Sequence, residues 1–223
     1  KRLYQSHPWM MGVRKDGTAF GILFDTSWKA ELSCTNQKIE LKSEGVPFRV
    51  FIIDRDSPQA VVRGLSELTG TMPMIPRWAL GYQQSRFSYT PANRVIEIAD
   101  TFRQKKIPCD VIWMDIDYMD GYRIFTFNPT TFPNPKAVNR DLHIRGFHSA
   151  WMIDPGAKVD PDYFVYKSGT ENDIWVKTAD GKNFTGDAWP GAAAFPDFTY
   201  PKANKWWRSL YKDFLAQGVD GVW

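Results

Sequence analysis

The sequence predicts an α/β fold, with a parallel sheet laid down in strand–helix–strand order over residues 71–223 and antiparallel strands in residues 1–70. Three observations carry this reading. Apolar runs recur at crossover spacing in "DVIWMDI", "HSAWMID" and "VDGVW", and the segments between them show apolar residues at helical spacing. Residues 1–70 instead alternate over short stretches, "AFGILFDTS", "KIELKS" and "FRVFIIDR", broken by Asp16-Gly17, Glu44-Gly45 and Pro58. Between the two parts, Gly70, Pro73 and Pro76 mark a linker.

From Ala79 onward each element has a local reason. "ALGY" reads as the first buried strand; Thr90-Pro91 then offers a capping side chain and a proline to a helix with Val95, Ile98, Ala99 and Phe102 on one face. Pro108 ends that helix before the strand "DVIWMDI". Asn134-Pro135 caps a second helix, with Val138 and Leu142 inward and Gly146 as its stop, and "HSAWMID" follows as a strand. Residues 156–200 are aromatic and glycine-rich, too irregular for a simple crossover, and read as an inserted subdomain. A third helix from about Ala203 turns Trp207, Leu210, Tyr211 and Phe214 inward and ends near Gly218, and "VDGVW" closes the sheet.

Such a sheet suits an open doubly wound fold or a (β/α)8 barrel. A barrel needs about 250 residues, and its part of this chain holds about 145, half of one. A hydrophobic strand at Val219–Trp223 would then form a bare sheet edge, which natural proteins avoid, so the chain reads as a segment of a longer polypeptide.

Composition narrows the function. Of 223 residues, 43% are hydrophobic and 15% aromatic, enough for a sizeable core and too apolar for a disordered chain. Lys+Arg 28 against Asp+Glu 25 gives +3, and the charges are scattered, so neither nucleic acid nor a membrane surface is an expected partner. No apolar run approaches the length of a membrane span, and no signal-peptide pattern opens the sequence. Cys34 and Cys109 fall in the two different parts and predict no disulfide. Asn183-Phe184-Thr185 matches a glycosylation sequon, too short a pattern to fix a compartment.

In either parallel fold, ligands bind at the carboxyl ends of the strands. There the sequence places Asp115, Asp117, Asp154 and Trp223. Carboxylates accept hydrogen bonds from vicinal hydroxyls and indole faces cover the apolar face of a pyranose, so this rim suits a neutral polyhydroxylated ligand. Asp115-Ile116-Asp117 has three readings: a structural strand end, a sugar-binding rim, or the metal-binding DxD of a glycosyltransferase. An EF-hand calcium loop fails on spacing, because the third acid comes one place late and Thr126 occupies position twelve. His143 and His148, across a helix end and a strand start, are expected to share no common face and to be structural or solvent-exposed.

The blocks "PRWALGYQQSRFSY", "DVIWMDIDYMDGYRIFTFNPTTFPNP", "WMIDPGAKVD", "AWPG" with "FPDF", "KWW" and "DGVW" resemble, in order and spacing, glycoside hydrolase family 31, the α-glucosidase family. The resemblance covers about residues 70–223 and implies the first half of a (β/α)8 TIM barrel, preceded by the end of an N-terminal β-sandwich. It implies a retaining exo-α-glucosidase that acts on α-glucosides or α-glucans with no cofactor and no metal. The family nucleophile would lie two residues after Trp223 and the acid/base later still, so no catalytic residue is expected in this chain, and the segment alone is expected to be inactive. What the resemblance assigns here is part of the sugar pocket: Asp115 and Ile116 at the −1 subsite, and Trp189 and Trp223 as walls. Phe87 stands where relatives often carry Tyr, and Ala157 where they often carry Ile. Asp117 and Asp154 are assigned loop-orienting or supporting roles. An α-glucan lyase or transglucosidase of the same family, and a non-catalytic glycan-binding protein, are the alternatives.

Overall fold

The structure is a computed structural model and describes residues 6–35 and 38–223. The chain divides into two units, Lys1–Met74 and Ile75–Trp223.

In the N-terminal unit, β1 (Trp9–Val13), β2 (Ala19–Asp25) and β5 (Arg49–Arg55) form an antiparallel sheet in the order β1-β2-β5. Between β2 and β5, β3 (Ala30–Cys34) and β4 (Ile39–Ser43) pair as a separate antiparallel ribbon. The sequence reading takes Pro58 as a strand breaker; in the structure it also opens a helix, α1 (Pro58–Thr69). Proline is tolerated at the first helical position because that N–H has no intrahelical partner, and the Ser57 hydroxyl caps the turn by accepting from Ala60 N at 3.3 Å. Val61 and Ile53, with Ala19, form the small core between this helix and the sheet.

The second unit is built on a four-stranded parallel sheet. Its elements run β6 (Gln83–Gln84), α2 (Ala92–Gln104), β7 (Val111–Met114), α3 (Pro135–Ile144), β8 (His148–Trp151), β9 (Ala157–Lys158), α4 (Phe164–Glu171), β10 (Thr185–Ala188), β11 (Gly191–Ala194), α5 (Pro201–Leu215) and β12 (Gly221–Val222). The sheet order is β12-β8-β7-β6, with every pairing parallel. The first strand is thus not "ALGY": Arg77–Leu80 is a 3₁₀ turn that follows Pro76, and the pairing begins at Gln83.

The helices follow the sequence pattern except at their ends. Thr90 does not cap α2; Pro91 holds the cap position without a side-chain bond, and the Ala92 amide finds its partner in the Thr131 carbonyl at 3.0 Å. Asn134 does cap α3, its Oδ1 accepting from Ala137 N at 3.0 Å, and Gly146 at φ 73° lets the chain turn out of it. In α5 Phe214 is buried and Trp207, Leu210 and Tyr211 are partly buried, while Trp206, which the sequence reading leaves out, is buried as well.

Residues 156–200 have structure of their own. β9, β10 and β11 make a small antiparallel sheet in the order β10-β11-β9, and α4 packs beside it. Trp175, 2% exposed, fills the space over Gly169, where an added Cβ would sit 2.2 Å from the indole Cζ2. The buried ring has no room to withdraw, which explains a glycine inside a helix. Gly169→Ala is therefore expected to destabilise this unit by about 1–3 kcal/mol through overpacking, although alanine is the better helix former. A urea titration that shows no loss would contradict the close approach.

Candidate sugar-binding rim

Side chains of the parallel sheet alternate between its two faces. Ile112, Met114, Ser149 and Trp151 point to the helix side and each is at most 1% exposed. Alternation puts Trp113, Asp115, Ala150 and Trp223 on the other face. Register fixes their level: Met114 pairs with Trp151 and Trp151 with Val222, so Asp115 and Trp223 each follow the last paired residue of their strands. The ladder continues past the strand ends, since Met152 N donates to Met114 O at 3.0 Å and Ile153 N to Trp223 O at 2.7 Å.

Beyond Met114 the strand does not continue. Asp115 caps the 3₁₀ turn Ile116–Tyr118, with Oδ1 accepting from Ile116 N at 2.7 Å. Its Oδ2 takes no hydrogen bond among the described residues, leaving one carboxylate oxygen for a ligand hydroxyl. The turn ends the two-residue alternation, so Asp115 and Asp117 do not line one strand face as a metal-binding DxD would. The Asp117 charge, first among the causes, raises the Tyr122 pKa.

Asp154 has been carried onto the same rim. Burial first, and then the charge of Asp115, raises its carboxyl above the ordinary range. Around it run an open groove of about 520 Å³, lined by Asp154, Pro155, Gly156, Asp187, Ala188, Trp189 and Phe195, and a smaller cavity shared with Ile116, Met119 and Tyr122. A cavity of about 420 Å³ in the N-terminal unit, lined by residues such as Trp28 and Leu41, contains none of the predicted site residues.

The aromatic candidates are presented openly. Phe87, Trp189 and Trp223 are 63%, 65% and 61% exposed. Phe87 and Trp189 lie with ring centroids 6.5 Å apart at 33°, and Trp223 meets Trp113 edge to face at 5.8 Å. Trp113, not singled out from the sequence, is oriented by its indole N–H, which donates to Gln83 Oε1 at 2.9 Å. Its place two residues before Asp115 was the available signal. Ala157 behaves differently: it has no accessible surface and is paired with Ala194 in the small sheet. Ile116 is 4% exposed and reaches only the smaller cavity.

The inserted sheet is tied to the loop after β7. Arg123 donates to Asp160 Oδ2 from Nε at 3.0 Å and from Nη2 at 2.6 Å, and the buried Tyr163 hydroxyl donates to Ile124 O. The Arg123 hydrogen bond, first among the causes, holds the Asp160 carboxyl below its usual range. These links set Trp189, carried beyond β10, over the rim that Asp115 and Asp154 form.

One expectation about the histidines fails. His143 and His148 do meet, because the turn at Gly146 folds the end of α3 back onto the start of β8, and both face Asp220. His143 Nε2 lies 2.7 Å from Asp220 Oδ2, and His148 Nδ1 lies 3.3 Å from Oδ1. Asp220 Oδ2 also accepts from Ser149 N at 2.9 Å. Burial works against the Asp220 charge, but the Ser149 amide and the two imidazoles outweigh it and lower its pKa. This cluster sits at the amino-terminal end of the strands, opposite the rim.

Acidic and aromatic groups thus gather at the carboxyl edge of a parallel α/β sheet, the edge at which such folds bind their ligands. The family model for the "Glycosyl hydrolases family 31 TIM-barrel domain" matches residues 72–223, so the chain belongs to glycosyl hydrolase family 31. "Alpha-glucosidase 2" of Bacillus thermoamyloliquefaciens is 42% identical over 99% of the chain, and an "Alpha-glucosidase" of Saccharolobus solfataricus is 33% identical over 99%. Among solved structures, a family 31 alpha-glucosidase from Bacteroides thetaiotaomicron is 90% identical over 100% of the chain, with a TM-score of 0.92. The chain spans 28% and 32% of the two curated relatives and 38% of the solved one. No helix among the described residues is long and apolar enough to cross a membrane.

Asp154 gives a test of the rim's electrostatics. A carboxyl whose pKa rises on folding binds protons more tightly in the folded state, so stability falls as pH climbs from the unfolded value, about 3.9, through the folded one. Asp154→Asn removes that cost: the variant is expected to melt above the parent at pH 7 and to converge with it below about pH 4. A melting difference independent of pH would show that the carboxyl is not under strain.

Proposed function

We propose that this chain is a substrate-binding part of a retaining exo-α-glucosidase: the end of an N-terminal β-sandwich followed by the first four βα units of a (β/α)8 barrel. The observation that carries the reading is the common level of Asp115 and Trp223 on one face of the sheet, at its carboxyl edge, with an Asp115 oxygen that takes no hydrogen bond among the described residues. Its support from outside is that the relatives named above are alpha-glucosidases.

In this reading Asp115 accepts hydrogen bonds from hydroxyls of the terminal glucose. Trp223 and Trp189 wall the ring's apolar faces, Ile116 closes the pocket beneath, and Phe87 extends the aromatic surface next to Trp189. Ala157 acts by its small size, leaving room in the small sheet without touching the sugar. Asp117 and Asp154 orient the loops, Asp117 through Tyr122. Retaining hydrolysis needs two carboxylates about 5–5.5 Å apart, one as nucleophile and one as acid/base, and these would be supplied by the polypeptide beyond Trp223. The chemistry needs no metal and no organic cofactor.

In the whole polypeptide, Asp115→Asn is expected to lower kcat/KM for an aryl α-glucoside by about 100-fold, the loss of charged hydrogen bonds to a buried hydroxyl. Trp189→Ala is expected to act mainly on KM. Residues 1–223 alone are expected to release no aglycone. Turnover by that segment, or an Asp115→Asn enzyme with unchanged kcat/KM, would overturn the reading. Glucose as the product separates hydrolysis from a lyase, which would give an anhydro sugar, and from a transglucosidase, which would give longer glucans.

A further inference from the structure

We propose that His143, His148 and Asp220 form a zinc site at the amino-terminal end of the parallel sheet, separate from the sugar rim. The three side chains come from the last turn of α3, the first residue of β8 and the residue before β12. One ligand atom from each lies within 4.8 Å of the others. Two imidazoles and a carboxylate are a donor set that suits Zn²⁺, with a fourth position left for water.

The observation that separates this cluster from an ordinary hydrogen-bonded trio is His148 Nδ1. It is buried and has no hydrogen-bond partner among the described residues, although Asp220 Oδ1 is only 3.3 Å away. A buried ring nitrogen without a partner is costly, and a cation between it and the carboxylate, binding the neutral imidazole, removes the cost. Donors around a tetrahedral zinc at 2.0–2.1 Å stand about 3.4 Å apart. The His148–Asp220 separation, 3.3 Å, is close to that value, and a bound ion would replace the direct 2.7 Å contact of His143 Nε2 with Asp220 Oδ2.

The surroundings hold the ligands in place. The His148 imidazole stacks on Trp78 with centroids 4.4 Å apart, and the Ser149 amide fixes the Asp220 carboxylate. A bound ion would join α3, β8 and β12 where β12 begins. Its role is structural: His148 opens β8 and Asp154 follows that strand's other end, so sugar and zinc lie at opposite ends of the sheet.

The test uses the whole polypeptide, stripped with a chelator and returned to chelator-free buffer, with ZnCl₂ as the only probe. Calorimetry is expected to show one equivalent bound and a rise in melting temperature, and His148→Gln and Asp220→Asn each to weaken binding at least tenfold and abolish the rise. Crystals of the unmodified protein soaked in zinc are expected to give an anomalous peak between the three side chains. Absence of that peak, or binding undiminished in both variants, overturns the proposal; the crystal result decides by itself if the variants do not fold.

Discussion

The register of the parallel sheet is the constraint on which the rest of the site depends. Because Met114, Trp151 and Val222 form one row, the residues that follow them emerge at one level, and side chains far apart in sequence reach a common rim. A shift of one residue in β12 would turn Trp223 to the helix side and an apolar residue to the ligand side. The row is held from behind by fully buried groups: Trp151, with no accessible surface, donates from Nε1 to Asn139 Oδ1 at 3.0 Å, and Asn139 donates to Gln217 O at 2.8 Å just before β12. One buried asparagine thereby couples α3, β8 and the approach to β12.

The inserted subdomain adds to this frame without belonging to it. Its small sheet is joined to the loop after β7 by the Arg123–Asp160 pair and by the Tyr163 hydroxyl, and it carries Trp189 to the rim. Burial is divided between roles: Trp175, Tyr163 and Trp151 are core, whereas Trp189, Trp223 and Phe87 leave their faces open. In a chain with this many aromatic residues, exposure is what separates the packing rings from those available to a sugar.

Much of the fold was legible because it rests on local chemistry. Apolar runs between helical segments gave the order of β7, β8 and β12, Asn134-Pro135 gave the start of α3, and Gly146 gave its end. The failures lie where tertiary contacts replaced local signals. α1 was hidden by a proline that both breaks strands and opens helices; Thr90 lost its capping role to the Thr131 carbonyl; "ALGY" became a 3₁₀ turn before the first pairing. The position of Asp115 and Trp223 just past their strands was legible because strand ends are readable, whereas Trp113, inside the run "DVIWMDI", gave no signal of its own. The meeting of His143, His148 and Asp220 depends on a turn and a distant strand, which spacing along the chain does not encode.

The central claim is that Asp115 and Trp223 hold the terminal sugar at the carboxyl edge of this sheet. A crystal structure of the whole polypeptide with bound glucose tests it most directly. The account predicts the Asp115 carboxylate within hydrogen-bond distance of ring hydroxyls, about 2.5–3.0 Å, with the Trp223 and Trp189 indoles against the ring. A glucose bound in the same protein with no contact to Asp115 would contradict it.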